Sequence, residues 1–222
     1  VSVDHRHGQR AALTGFYSWC VDNDVVLASP ATKLPKVKSS QPRPRPAPDA
    51  VWVELLARAA PRERLMSLLA CEAGLRRAEV AGLHFDDLVR DHDGYLLIVR
   101  EGKGGKQRVV PITMRLASQI RLHCQGGYLF PGQIDGHLSP DCVGRLVSKL
   151  MPPGWTMHKL RHRYATRGFN GTHNLLAVQE ALGHSSVATT QRYTAVTLVD
   201  VRAVSEAAAS APCKDVRRIH LL

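Results

Sequence analysis

Across its 222 residues the chain has no run of the ~20 apolar residues that a membrane-spanning helix needs. The opening VSVDHRHGQR lacks the apolar core of a secretion signal. Both absences lead to the expectation of a cytoplasmic protein with no membrane partner. Cysteine is sparse and scattered: Cys20, Cys71, Cys124, Cys142 and Cys213 are odd in number and never form a C-x-x-C pair. That argues against a disulfide framework and against a cysteine-based zinc site. Aromatic residues make up only 5%, so each tyrosine in a polar setting stands out. Acidic residues are also short, 19 against 30 Lys+Arg, which leaves a net charge of +11. An excess of that size predicts a polyanionic partner, nucleic acid before anionic membrane.

What is present is an ordinary apolar content of 44%, enough for one large domain or a medium one with an appendage. The clearest seam is SPATKLPKVKSSQPRPRPAPD, where six of the 13 prolines fall between Pro30 and Pro48. Proline at that density fixes φ and removes amide donors, so residues 30–49 read as an extended linker. Its basic residues, Lys33, Lys36, Lys38, Arg43 and Arg45, make it either a solvated tether or a strap along DNA phosphates. The segment before it, residues 1–29, has helical character but is too short for a core of its own.

After the seam the pattern is mostly helical. Asp49 is placed to cap AVWVELLARAA, and Pro61 suits the first turn of PRERLMSLLACEAG. Gly74 ends that helix, and LRRAEVAGL starts another. GYLLIVR and QRVVPI are β-prone runs joined by the glycine-rich EGKGGK, with FDDLVR a third short strand. Helices follow over 113–123, in SPDCVGRLVSKLM with Ser139 as its cap, in MHKLRHRYATRGF, in NLLAVQEAL closed by Gly183, and in SVATTQRY. A tail helix opens at Asp200. The expected fold is mainly α within an α+β class, with a small antiparallel sheet inserted.

The chemistry-bearing residues are dispersed. His158, Arg161 and His162 lie at i, i+3 and i+4, on one helix face. Two histidines four apart suggest a zinc helix, but the glutamate beside the first histidine is absent and an arginine shares the face, which disfavours a metal. A guanidinium between imidazoles suits a phosphate instead. Arg76 follows the Gly74 break, with Glu79 three residues on to orient it. Lys103 and Lys106 stand on the hairpin tip, outside any P-loop pattern. His184 precedes a run of small hydroxyl residues, and Tyr193 follows Gln191 and Arg192, a setting unlike a core tyrosine. Together the set fits metal-independent transesterification at a phosphodiester. A phenolate attacks phosphorus, guanidinium and imidazole groups neutralise the growing oxygen charge, and a lysine protonates the leaving oxygen.

Four stretches, CEAGLRRAEVAGL, GKGGKQRVVPI, HKLRHRYAT and ALGHSSVATTQRYT, occur in an order and spacing similar to those of the tyrosine recombinase family. Over residues 50–200 the chain resembles the phage integrase and Xer-type enzymes of that family. By this resemblance Arg76 and Arg161 are the catalytic arginines, Lys103 the hairpin lysine, His158 and His184 the histidines, and Tyr193 the nucleophile. Glu79 and His162 take supporting places. Arg163 and Tyr164 stand where relatives have other residues and receive no catalytic role.

The resemblance implies more. Residues 50–199 would be the catalytic domain of a site-specific DNA recombinase working through a 3′-phosphotyrosine, with no cofactor and no metal. Four protomers would synapse two duplex DNA sites and exchange strands through a Holliday junction, with an accessory DNA-bending protein as a further partner. The tail, residues 200–222, would dock on a neighbouring protomer. Residues 1–29 resemble only the last part of a core-binding domain. A fragment, an upstream translation start or a decayed prophage remnant each account for that, as does a catalytically silent DNA-binding remnant.

Overall fold

The computed structural model describes residues 3–37, 45–100, 107–183 and 198–210. Its contacts divide the chain into two units, Val1–Pro44 and Arg45–Leu222. In the first, helix α1 (Val3–Asp22) ends in a turn where the amide of Val25 donates to the Cys20 carbonyl at 2.8 Å. A single 3₁₀ turn, Pro30–Lys33, buries Ala31 and leaves Lys33 and Lys36 exposed. The start of the expected linker therefore has local structure. Leu13, Phe16 and Trp19 of α1 are exposed.

The second unit is built round α3 (Pro61–Glu72), in which every residue from Leu65 to Glu72 is buried. Pro61 occupies its first position, as expected. Preceding it, α2 (Asp49–Arg58) lays Val51, Trp52 and Leu55 onto the same core. Asp49 does not cap this helix. The N-cap is Pro48, and the Asp49 carboxylate instead accepts from Arg163, with Arg167 at 3.7 Å. A buried guanidinium needs a counter-charge more than an exposed helix end needs a cap, and Asp49 meets that larger demand.

After α4 (Arg77–Ala81) come β1 (Leu88–Asp91), β2 (Gly94–Val99) and β3 (Arg108–Ile112), an antiparallel sheet in the order β1-β2-β3. Leu88 pairs with Leu97, and Val99 with Arg108. Leu97, Val99, Val110 and Ile112 face the core. Pro111 is accommodated because β3 is an edge strand of this sheet among the described residues, where a missing N–H leaves no gap in the ladder.

Helix α5 (Met114–His123) is capped by Thr113, whose hydroxyl accepts from the Leu116 amide. A short strand, β4 (Pro131–Ile134), leads to α6 (Pro140–Ser148), capped by Ser139 as the sequence predicts. Leu55, Leu69, Leu116 and Leu160 are at most 1% exposed, and each contributes about 1.5–3 kcal/mol by its burial. A second apolar cluster joins α7 (Met157–Thr172), α8 (Leu175–Leu182) and α9 (Leu198–Ser210) through Val178, Ala181, Val201, Val204 and Ala208. Helix α9 thus packs on its own chain, with Asp200 in its first turn. Tyr164 lies wholly inside this cluster, its hydroxyl 3.1 Å from that of Ser205. No helix among the described residues is long and apolar enough to cross a membrane.

Candidate active site

The site begins where α3 stops. Gly74 adopts φ +65, and a Cβ there would lie 2.6 Å from the Tyr164 ring, so both the turn and the packing require glycine. The reversal puts Arg76 at the N-cap of α4, where its amide donates to Glu79 Oε2 at 2.7 Å. This is the return half of a capping box, with the glutamate at the third helical position. The same carboxylate accepts from Arg76 Nη1 at 2.6 Å.

Glu79 is the hub. Its side chain is 1% exposed, and Arg108 forks onto it from β3, Nη1 to Oε1 at 2.7 Å and Nη2 to Oε2 at 2.9 Å. Burial alone would raise this carboxyl. The Arg108 pair and the two Arg76 bonds outweigh it and hold the group down at about 2. A third guanidinium, Arg161 on α7, stands 3.7 Å from Oε2.

The three arginines also share the end of α8. Arg108 Nε donates to the Ala181 carbonyl at 3.2 Å, Arg161 Nη2 to Leu182 at 2.6 Å, and Arg76 Nη2 to Gly183 at 3.3 Å. Three successive carbonyls at a helix C-terminus, where the dipole is negative, thus receive three cations. Arg161 Nη1 further donates to the Gly74 carbonyl. Arg161 is 5% exposed, and burial first, then Arg76, lower it to about 9, which leaves it charged at neutral pH.

Beside this cluster opens a cleft of about 1090 Å³ whose wall includes Arg76, His158, Arg161, Arg145 and Ser148. Arg77 and Asp141 face each other across 3.0 Å at its exposed side. The His158 and His162 rings meet edge to face at 4.5 Å. Partial loss of solvent lowers both histidines from their ordinary value, reinforced at His158 by His162 and Arg161 and at His162 by Lys159 and Arg161. They are therefore neutral at pH 7, each with one N–H to donate and one lone pair to accept. Among the described residues, no three His, Cys, Asp or Glu side chains gather as metal ligands do.

Of the residues expected from sequence, Arg76, Glu79, His158 and Arg161 come together, and His162 stands next to His158. Lys103, Lys106, His184, Tyr193, Lys38 and Arg43 lie outside the described residues. Arg45 is exposed, with its guanidinium 5.5 Å over the Trp155 ring. Arg163 and Tyr164 are buried in packing roles, Arg163 donating to the Ala47 carbonyl at 2.8 Å. Sequence reasoning missed Arg108, whose guanidinium forks onto both oxygens of the hub. Its only local signal is a cation opening a strand whose later residues are buried.

A helical domain with an inserted sheet, gathering guanidinium groups round one buried carboxylate, has close counterparts. Residues 51–198 match the model of the phage integrase family. The chain is 35% identical over 218 residues to tyrosine recombinase XerC of Xylella fastidiosa strain M23, spanning 87% of this chain and 73% of that protein. To XerC of Rhodospirillum centenum it is 34% identical over 221 residues, spanning 89% of this chain and 64% of the relative. The integrase of mycobacterium phage Brujita superposes with a TM-score of 0.66 at 26% identity, covering 93% of this chain and 72% of that one. A lambda integrase dimer bound to a COC′ core site shares the fold, with TM-score 0.62 at 16% identity, over 85% of this chain and 74% of that one. Residues 51–198 thus form a tyrosine recombinase catalytic domain. The chain belongs to the phage integrase family.

Proposed function

We propose that this chain is a site-specific DNA recombinase that cuts and rejoins strands through a 3′-phosphotyrosine. One observation carries the reading. Arg76 and Arg161 line the same cleft from different elements, each tethered by carbonyl or carboxylate acceptors. A phosphodiester seated there would be held by two guanidinium forks against the negative charge that grows on its non-bridging oxygens.

In this reading the Tyr193 oxygen bonds to phosphorus, and the P–O5′ bond breaks. The phenolic proton passes to neutral His158, and Lys103 delivers a proton to the departing 5′-oxygen. His184 donates to a non-bridging oxygen, and Glu79 and His162 support the arginines and His158. The tyrosyl ester conserves the energy of the broken bond, so a second strand's 5′-hydroxyl can reverse the step without ATP. No cofactor enters.

Exchange between two duplexes needs several protomers, and one relative by fold, lambda integrase, has been seen as a tetramer bound to a Holliday junction. A homo-tetramer on paired sites is the assembly we assign. The apolar stripe of α9, Val201, Val204 and Ala208, is the surface such protomers would exchange, and residues 1–29 would belong to a core-binding domain joined through residues 30–49. Lys33, Lys36, Lys38, Arg43, Arg45 and Lys106 add phosphate contacts. An accessory DNA-bending protein would assist synapsis. A DNA substrate of this kind places the protein in the cytoplasm of a bacterial or phage-infected cell.

The test is covalent capture in EDTA, using a nicked duplex whose sequence the chain has selected from a randomised pool. The reading predicts a protein–DNA adduct. Binding without any adduct contradicts it.

A further inference from the structure

Arg108 does more than fill space beneath the cleft. A carboxylate offers about four acceptor sites. On Glu79 all four are taken, two by the Arg76 amide and Nη1, two by the Arg108 fork. Arg161, although 3.7 Å away, is left outside this set and bonds to the Gly74 and Leu182 carbonyls. The two arginines of the cleft therefore touch Glu79 through one side-chain hydrogen bond between them.

Without the Arg108 fork the count changes. Two buried acceptor sites fall vacant, and the nearest donors are the spare N–H groups of Arg76 and Arg161. A buried carboxylate stripped of its partner binds whatever cation it can reach, because the alternative is an uncompensated charge. Both guanidiniums would then turn inward, away from the space a phosphate would occupy.

Resting on the strand-cleavage reading given above, we infer that Arg108 is a positioning residue of the reaction. It occupies Glu79 so that Arg76 and Arg161 keep their free donors on the cleft. A second tie strengthens the case. Arg108 Nε holds the Ala181 carbonyl, and a Cβ on Gly183 would lie 2.7 Å from Arg108 Cδ, so the arginine also fixes the helix end on which its two neighbours are anchored. The depressed carboxyl of Glu79, whose largest favourable partner is Arg108, agrees with the geometry.

Lysine tests the inference well, because it keeps the charge but offers neither the fork nor the Nε bond. Arg108→Lys should bind the selected duplex as the wild type does, yet form the adduct on the order of 10²-fold more slowly in a single turnover, the scale of a misplacement near 1 Å. Adding Glu79→Gln removes the charge that competes with phosphate. The double variant Arg108→Lys with Glu79→Gln should therefore cleave faster than Arg108→Lys alone, an interaction opposite in sign to additive damage. A purely structural arginine gives losses that multiply. Arg108→Lys cleaving at the wild-type rate, or a double variant at the product of the two single losses, overturns the proposal.

A second readout needs no turnover. In ¹⁵N spectra of the free protein, the Arg76 and Arg161 guanidinium protons should exchange with water more slowly in Arg108→Lys, as they pair with Glu79. Unchanged exchange counts against the inference. If the wild type forms no adduct at all, the recombinase reading fails, and the spectra still decide the role of Arg108.

Discussion

Arg76 and Arg161, side chains from two different helices, are moored to adjacent carbonyls of a third, those of Gly183 and Leu182. Like charges 85 residues apart in sequence would repel if free, and what holds them is one carboxylate and one helix end. The charge is uneven by design of the sequence, three guanidiniums against Glu79. In the proposed reaction a phosphodiester would supply part of the missing negative charge.

In the proposed reaction Arg161 meets the phosphate, and Arg161→Ala removes its donors. Single-turnover adduct formation should fall by on the order of 10²–10³-fold, while gel-shift affinity for the selected duplex changes far less. Arg161→Lys should recover little, since an ammonium cannot bridge Gly74 and Leu182 and still present a fork.

Glu79 links stability to pH. Its folded value of about 2 lies below the ordinary 4.5, so its stabilisation is present above about 4.5 and is lost as pH falls toward 2. Chemical denaturation across that window should show wild-type stability dropping by about 3 kcal/mol more than that of Glu79→Gln. Parallel curves would mean that the carboxylate is not held by its arginines.

The histidines act in the same direction, in a higher pH window. A lowered folded value means that the unfolded chain takes up the proton first, so stability is full above about 6.5 and declines as pH falls below it. Ring-proton NMR should show His158 and His162 titrating below 6.5. A midpoint above that would remove the neutral imidazole that the proposed proton transfer requires.

Gly74→Ala meets two obstacles together, φ +65 and the Tyr164 ring at 2.6 Å from the new Cβ. A loss of about 1–3 kcal/mol in urea denaturation is expected. An unchanged midpoint would show that the turn relaxes freely.

Much of this was legible locally. Ser139, Pro61 and Gly183 mark helix ends through their own backbone chemistry, and the Arg76–Glu79 spacing is itself a capping pattern. Arg108 was not legible, because its partners lie 29 and 73 residues away and a lone arginine at a strand start carries no periodic signal. Asp49 misled for a related reason. Its local context reads as a cap, while its partner Arg163 is 114 residues distant and buried. Local rules find caps and turns, whereas charge pairing across the core is settled by the fold.

Two tyrosines separate packing from chemistry. Tyr164 is fully buried, and burial holds its phenol up at about 12, so Tyr164→Phe should cost about 1 kcal/mol through the lost Ser205 contact and leave cleavage intact. Tyr193 is the residue on which the account turns. Peptide mapping by mass spectrometry of the adduct captured in EDTA should find a 3′-phosphate-linked nucleotide on Tyr193, with Tyr193→Phe binding the same duplex and yielding no adduct. A linkage at any other residue, or an adduct that survives Tyr193→Phe, contradicts the mechanism.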